Sequence, residues 1–168
     1  MKIAPVTAYL GLGANLGDPV QQIVDARSML SSMRETQSVR CSSMYLSSPV
    51  GYSEQADFVN CVMELATLAS INELFAFTQK VESQLGRVRE PNDKNAARRI
   101  DIDLLLFGEQ SSSLSTLTVP HPRMTERLFV LQPLAELLPS ARHPMIGELE
   151  ELLKNGEFAN QTVCRLSI

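Results

Sequence analysis

The sequence predicts an α+β sandwich: an antiparallel sheet carrying helices, with elements in the order β-α-β-β-α-β. Three observations predict it. Four short apolar runs (7–12, 39–46, 58–66 and 100–107) are separated, after the first and the third, by segments of helical period. The stretch Ser47 to Asp57, SSPVGYSEQAD, joins the second and third runs with turn chemistry. Each helical segment opens on a residue suited to capping.

Taken in order, Thr7 to Leu12 reads as the first strand, and Gly11 to Gly17 as a glycine-rich turn after it. Asp18 is an N-cap and Pro19 suits the first helical position, where its missing N–H is no loss. Val20, Ile23, Val24, Arg27 and Leu30 then follow at helical spacing, predicting a helix to about Met33. Val39 to Leu46 is expected to be the second strand and Phe58 to Ala66 the third, paired as a hairpin with a long loop. Ser70-Ile71-Asn72-Glu73 is a capping box, followed by Leu74, Phe77, Val81 and Leu85, with Gly86 as the stop. Ile100 to Phe107 is the fourth strand. This order suggests a ferredoxin-like βαββαβ sandwich with helices on one face of the sheet. Ser111 to Thr116 reads as a polar turn, and Leu117 to Val119 as an edge strand. Short helices punctuated by Pro133, Pro139 and Pro144 complete the chain.

The 168 residues, 44% hydrophobic and 20% charged, suit a single domain, 1–168, with its own core. A net charge of −4 argues against nucleic acid as a partner, since such binders usually carry a basic surplus. Cys41, Cys61 and Cys164 are odd in number and widely spaced, which suggests free thiols in a reducing compartment. No apolar run reaches membrane-spanning length, and the N-terminus lacks a secretory pattern. A cytoplasmic monomer is expected.

The fourth strand carries the most informative pattern. In RRIDIDLLLF, Arg98 to Phe107, successive side chains point to opposite faces. Asp101 and Asp103 therefore share one face, about 6–7 Å apart along the strand. Ile100, Ile102 and Leu104 share the other. Two carboxylates that close repel unless something offsets them. The preceding loop supplies cations: Arg87, Arg89, Lys94, Arg98 and Arg99 are five of the fifteen basic residues. Guanidinium groups bind phosphate oxygens through paired hydrogen bonds. Paired aspartates suit Mg²⁺, which takes oxygen ligands and shares substrate phosphates. Together they point to a nucleoside triphosphate with magnesium.

Other candidates are weaker. The Gly11–Gly17 segment has leucine at position 16 and lacks the Lys-Ser/Thr pair of a phosphate loop, so it reads as a strand-to-helix turn from which Asn15 could face a ligand. His121 lies near Arg123 and Arg127 and suggests a second small cationic patch, whereas His143 has no such support. Phe58 and Asn60 share a strand face, an arrangement able to stack on a heterocycle and read its edge, although from spacing alone Phe58 reads better as core.

The stretch Lys94-Asn95-Ala96-Ala97-Arg98-Arg99-Ile100-Asp101-Ile102-Asp103-Leu104-Leu105 resembles the signature of the 6-hydroxymethyl-7,8-dihydropterin pyrophosphokinase family of the folate pathway. Further blocks resemble the family in its order: Gly13 to Asp18, Ser48 to Gly51, Asp57 to Asn60, Glu82 to Arg87 and Leu117 to Met124. The resemblance spans roughly residues 8 to 138. It implies a ferredoxin-like fold and transfer of the terminal pyrophosphoryl group of ATP to the pterin hydroxymethyl group, with release of AMP. It implies two magnesium ions on Asp101 and Asp103. It places Arg87, Arg98 and His121 on the phosphates and Glu82, Arg89, Ile102, Thr118 and Arg127 on the nucleotide side. Arg87, Arg98, Asp101 and Asp103 are its catalytic set. Asn60 would read the pterin edge, Phe58 and Phe129 would sandwich the ring, and Ser47, Ser48, Val50 and Asp101 would complete that pocket. Three positions depart from the family pattern: Asn95 where a lid aromatic can stand, Glu90 where a basic residue can stand, and Ala14 where serine is usual. The basic loop is expected to close over ATP, and nothing beyond Leu138 suggests a function. The alternative reading is a non-catalytic ferredoxin-like binding or regulatory domain.

Overall fold

The computed structural model describes residues 4–50, 54–87 and 97–167. Strand β1 (Val6–Ala14) leads to helix α1 (Pro19–Ser31). Strands β2 (Thr36–Cys41) and β3 (Tyr45–Ser47) follow, then β4 (Phe58–Thr67), α2 (Ile71–Gln84) and β5 (Asp101–Phe107). A hairpin of β6 (Ser112–Leu114) and β7 (Leu117–Val119) precedes α3 (Leu128–Ala135). The chain ends with a small hairpin, β8 (Arg142–His143) and β9 (Gly147–Glu148), then α4 (Leu149–Asn155) and β10 (Val163–Arg165). The main sheet runs β10-β3-β4-β1-β5, with β2 also paired to β4, and every pairing in it is antiparallel.

Local chemistry accounts for the helices. Asp18 caps α1 by accepting the Gln21 N–H at 3.0 Å, and Pro19 fills the first position. At α2 the capping box closes both ways: Ser70 Oγ accepts the Glu73 N–H, and Glu73 accepts the Ser70 N–H at 2.8 Å. Gly86 adopts φ +79°, a left-handed conformation that favours glycine, just past the helix end.

The core has two parts, one on each face of the sheet. Ala8, Leu10 and Leu12 of β1 and Cys61, Met63 and Leu65 of β4 pack with Ile23 and Leu30 of α1 and Leu74 and Val81 of α2. On the opposite face, Tyr9, Val62, Leu105 and Leu106 pack with Val130 and Leu134 of α3 and Leu149 of α4. The helices of the βαββαβ unit thus lie on one face as expected, while the C-terminal helices cover the other. The cysteines Cys41, Cys61 and Cys164 are free thiols.

Three segments differ from the sequence expectation. The run 39–46 is not one strand: the chain breaks between Cys41 and Tyr45, where Ser42 Oγ accepts the Val62 N–H and the Ser42 carbonyl accepts Arg27. The Ser42 hydroxyl takes a β4 N–H that a backbone carbonyl would accept in a continuous ladder, which interrupts the pairing there. The first strand runs on to Ala14, so Gly11 and Gly13 are strand residues, not turn residues. Ser112–Leu114 is a strand, and its partner Leu117–Val119 forms a separate hairpin with it and does not join the edge of the main sheet.

Replacing Ser70 by alanine removes one arm of the capping box. It is expected to lower stability by about 1 kcal/mol, read as a reduced urea midpoint at an unchanged denaturant slope.

Candidate active site

A cleft of about 620 Å³ opens on the face of the sheet that carries the second core. Its floor follows from register. Gly11 pairs with Asp103 and Gly13 with Asp101, while Gly13 pairs on its other side with Asn60. Directly paired residues share a face, so Asn60, Gly13 and Asp101 form one cross-strand row. Two strand spacings put its ends about 10 Å apart. The glycines leave the space between them open: a Cβ on Gly13 would stand 3.0 Å from Asn60 Oδ1, and one on Gly11 would touch Leu105 at 3.5 Å.

Asp101 and Asp103 do share this face, and Ile102 and Leu104 are buried on the other. Asp101 lies between two guanidinium groups, 2.6 Å from Arg87 and in an ion pair with Arg98. Asp103 meets Arg127 at 3.3 Å. Burial, and then the charge of Asp101, push the Asp103 carboxyl above the usual carboxylate range. The mutual repulsion that the sequence raises is therefore real, and arginines offset it.

His121 stands 3.8 Å from Asp103, too far for a hydrogen bond. Burial, and then the Arg127 charge, lower its pKa to about 4, so the ring is neutral at pH 7. Its Nδ1 accepts the Arg123 N–H at 3.2 Å, which leaves the ring proton on Nε2, the nitrogen nearer Asp103. A β-bulge contributes to this placement. The register shifts between Tyr9 and Leu10, leaving Leu105 as the extra residue, and the Leu105 carbonyl accepts the His121 N–H at 2.9 Å.

Glu82 is buried on α2. Its Oε1 accepts the Ile102 N–H at 2.7 Å and also binds Arg87. It thereby ties helix, strand and arginine together beneath Asp101. Ile102 presents a buried side chain to the core. Thr118 is exposed on β7 and donates to the Leu114 carbonyl.

The other wall gathers the residues expected around a flat ring. Phe58, Asn60, Ser47, Ser48, Val50 and Phe129 all line the cleft. Asn60 Nδ2 donates to Ser47 Oγ at 2.8 Å, which fixes the carboxamide orientation. The Ser48 N–H is held by the Thr162 carbonyl. Arg127 stacks over Phe129, 5.7 Å from its centroid. Arg89, Glu90, Lys94 and Asn95, and with them most of the expected closing loop, lie outside the described residues.

Asn15 does not face the cleft as a ligand contact. It is buried, donates to Gln55 and to the Ala56 carbonyl, and accepts the Arg98 N–H at 2.8 Å. It joins the turn after β1, the 47–57 segment and the approach to β5. Arg123, expected in a cationic patch with His121 and Arg127, lines the cleft, and so do Gly11, Gly13 and Gln161, which the sequence did not mark as site residues. Glycines two apart in a strand signal a close approach and could have marked the floor. Gln161 lies beyond Leu138, where the sequence itself suggests no function.

Comparison with known proteins agrees with this geometry. The family model of 7,8-dihydro-6-hydroxymethylpterin-pyrophosphokinase (HPPK) matches residues 9–139. A 2-amino-4-hydroxy-6-hydroxymethyldihydropteridine pyrophosphokinase of Bacillus subtilis (strain 168) is 42% identical over 130 residues, 77% of each chain. The Haemophilus influenzae protein of the same name is 36% identical over 162 residues, 96% of this chain and 99% of that one. Among solved structures, an HPPK-DHPS in complex with substrates superposes with a TM-score of 0.65 at 15% identity. It covers 90% of this chain, which spans 43% of that longer chain, and it bears on fold alone.

Replacing Asn15 by alanine removes the hydrogen bond that its Oδ1 accepts from the Arg98 N–H. Loss of one hydrogen bond at this half-buried position costs about 0.5–1.5 kcal/mol, so the urea midpoint is expected to fall accordingly.

Proposed function

This chain belongs to the 7,8-dihydro-6-hydroxymethylpterin-pyrophosphokinase family, and we propose that it transfers pyrophosphate from ATP to 6-hydroxymethyl-7,8-dihydropterin and releases AMP, the whole chain acting as one catalytic domain. The observation that carries this reading is the single row Asn60–Gly13–Asp101. It puts a reader of a heterocycle edge and a carboxylate pair at opposite ends of one open floor. Kinship with named pyrophosphokinases favours the enzyme over a non-catalytic binding domain.

Asn60, held by Ser47, reads the polar edge of the pterin, while Phe58 and Phe129 stack on its two faces. This fixes the hydroxymethyl group toward the aspartate side of the floor. Its oxygen attacks the β-phosphorus in line, the β-phosphorus–oxygen bond to the α-phosphate breaks, and AMP departs. The hydroxyl proton is released as the new bond forms, and Asp103 is the acceptor we assign, through an oxygen not engaged by a metal.

Arg87, Arg98 and Arg127 face charge that builds on the transferred group. These three cations are already matched by Glu82, Asp101 and Asp103, so a polyphosphate needs further positive charge. The donor set fits magnesium: two carboxylates at an open rim, with room for phosphate oxygens and water to complete a hard-oxygen shell. Asp101 and Asp103 would hold Mg²⁺, with two ions as our reading. When bound, the metal neutralises phosphate charge and polarises the phosphoryl oxygens. Glu82 acts from beneath, as the anchor of Arg87 and β5. By family position His121 is assigned to the phosphates, and Arg89 and Thr118 to the nucleotide side.

The test is an assay with ATP, Mg²⁺ and the reduced hydroxymethylpterin. AMP is expected, formed only when pterin is present. ADP, or turnover indifferent to pterin, would refute the reading. Asp101→Ala is expected to lower kcat by at least about 10²–10³-fold, the scale of losing one electrostatic group, with cooperative unfolding retained. An active Asp101→Ala enzyme would remove the metal role from this residue.

A further inference from the structure

The family match ends at residue 139, yet the chain returns to the cleft after α4. Gly156, Glu157 and Gln161 line it. Gln161 makes two bonds of an unusual kind. Its Oε1 accepts the Leu128 N–H at 2.9 Å, and its Nε2 donates to the Glu126 carbonyl at 2.8 Å. The two backbone groups flank Arg127. Leu128 is the first residue of α3, and Arg127 in the N-cap position offers that helix no side-chain cap. Gln161 therefore satisfies a helix N–H that would otherwise lack an intrahelical acceptor, and does so from a distant segment.

The next residue continues the bridge to the opposite wall. The Thr162 carbonyl accepts the Ser48 N–H at 3.1 Å, and the Thr162 N–H reaches Ser48 Oγ at 3.3 Å. β10 then pairs with β3. Two consecutive residues thus tie the Arg127–Phe129 turn to the Ser47–Val50 edge.

We propose that Gln161 is a positioning residue for substrate binding, setting Arg127 for the nucleotide and Phe129 for the pterin by bracketing the backbone around Arg127. This rests on the pyrophosphokinase reading. The amide suits the task because it offers one acceptor and one donor in a fixed plane, matching an N–H and a C=O two residues apart. Glutamate at this position would keep the acceptor for Leu128 and set a negative oxygen against the Glu126 carbonyl.

The experiment measures KM for ATP and for the pterin, kcat and thermal unfolding for the parent, Gln161→Ala and Gln161→Glu. Loss of both bonds is expected to raise each KM about fivefold to tenfold, the scale of one net hydrogen bond. Gln161→Glu, which opposes two acceptors at the Glu126 carbonyl, should likewise raise each KM by more than twofold. A purely architectural role would lower the melting temperature and leave the KM values of the folded enzyme where they were. Values within twofold of the parent for both substrates would overturn the proposal. Should the alanine variant fail to fold, the glutamate variant decides by the same criterion. An active parent with unaltered variants overturns this inference alone, whereas a parent making no pterin-dependent AMP overturns the function and this inference with it.

Discussion

Two carboxylates on one face of one strand is the arrangement to which the surrounding structure answers. Asp101 and Asp103 project from β5 toward a partly covered cleft, and a low dielectric there makes their repulsion costly. Arg87 and Arg98 meet the first and Arg127 meets the second. Those arginines come from three parts of the chain, so the carboxylate pair makes the end of α2, the approach to β5 and the turn before α3 converge. Behind them Glu82 bonds both Arg87 and the β5 backbone, which places the cations as firmly as the strand.

The strand is rigid because its second half is core. Leu104 to Phe107 are buried, and each such side chain contributes about 1.5–3 kcal/mol. The carboxylates at its start are held at the rim by that anchor. Opposite them β1 presents glycines, so a single antiparallel register creates both the charged edge and the empty floor. The bulge at Leu105 turns the same strand pair into an anchor for His121. The roof comes from elsewhere. Helix α3 and the segment 156–162 cover the face that the βαββαβ unit leaves open, and the cleft is the space between the two layers.

Local, short-range chemistry was the most legible part of the sequence. Asp18 and Ser70 cap the helices as their spacing indicates, and the alternation in RRIDIDLLLF assigns faces correctly because strand period depends on backbone geometry alone. Ser42 defeated the same logic, since its hydroxyl bonds the β4 backbone and splits one apparent strand into two. Long-range placement was less legible. Asn15 has the look of a ligand-facing turn residue, and only the fold reveals that its three partners lie some 40 to 83 positions away. Gln161 carries no motif at all, and its role arises from where α4 returns the chain. Phe58 read as core from spacing and lines the cleft, because its strand reaches the rim at that residue.

The account stands on the claim that Asp101 and Asp103 would hold Mg²⁺ beside a polyphosphate faced by Arg87, Arg98 and Arg127. A crystal structure with Mg²⁺, a non-hydrolysable ATP analogue and the hydroxymethylpterin tests it most directly. Magnesium is expected at Asp101 and Asp103 beside the nucleotide phosphates, with the pterin against Asn60 and its hydroxymethyl oxygen facing the β-phosphorus. Nucleotide bound elsewhere, with Asp101 still closed on Arg87 and Arg98 and no metal at either aspartate, would contradict it.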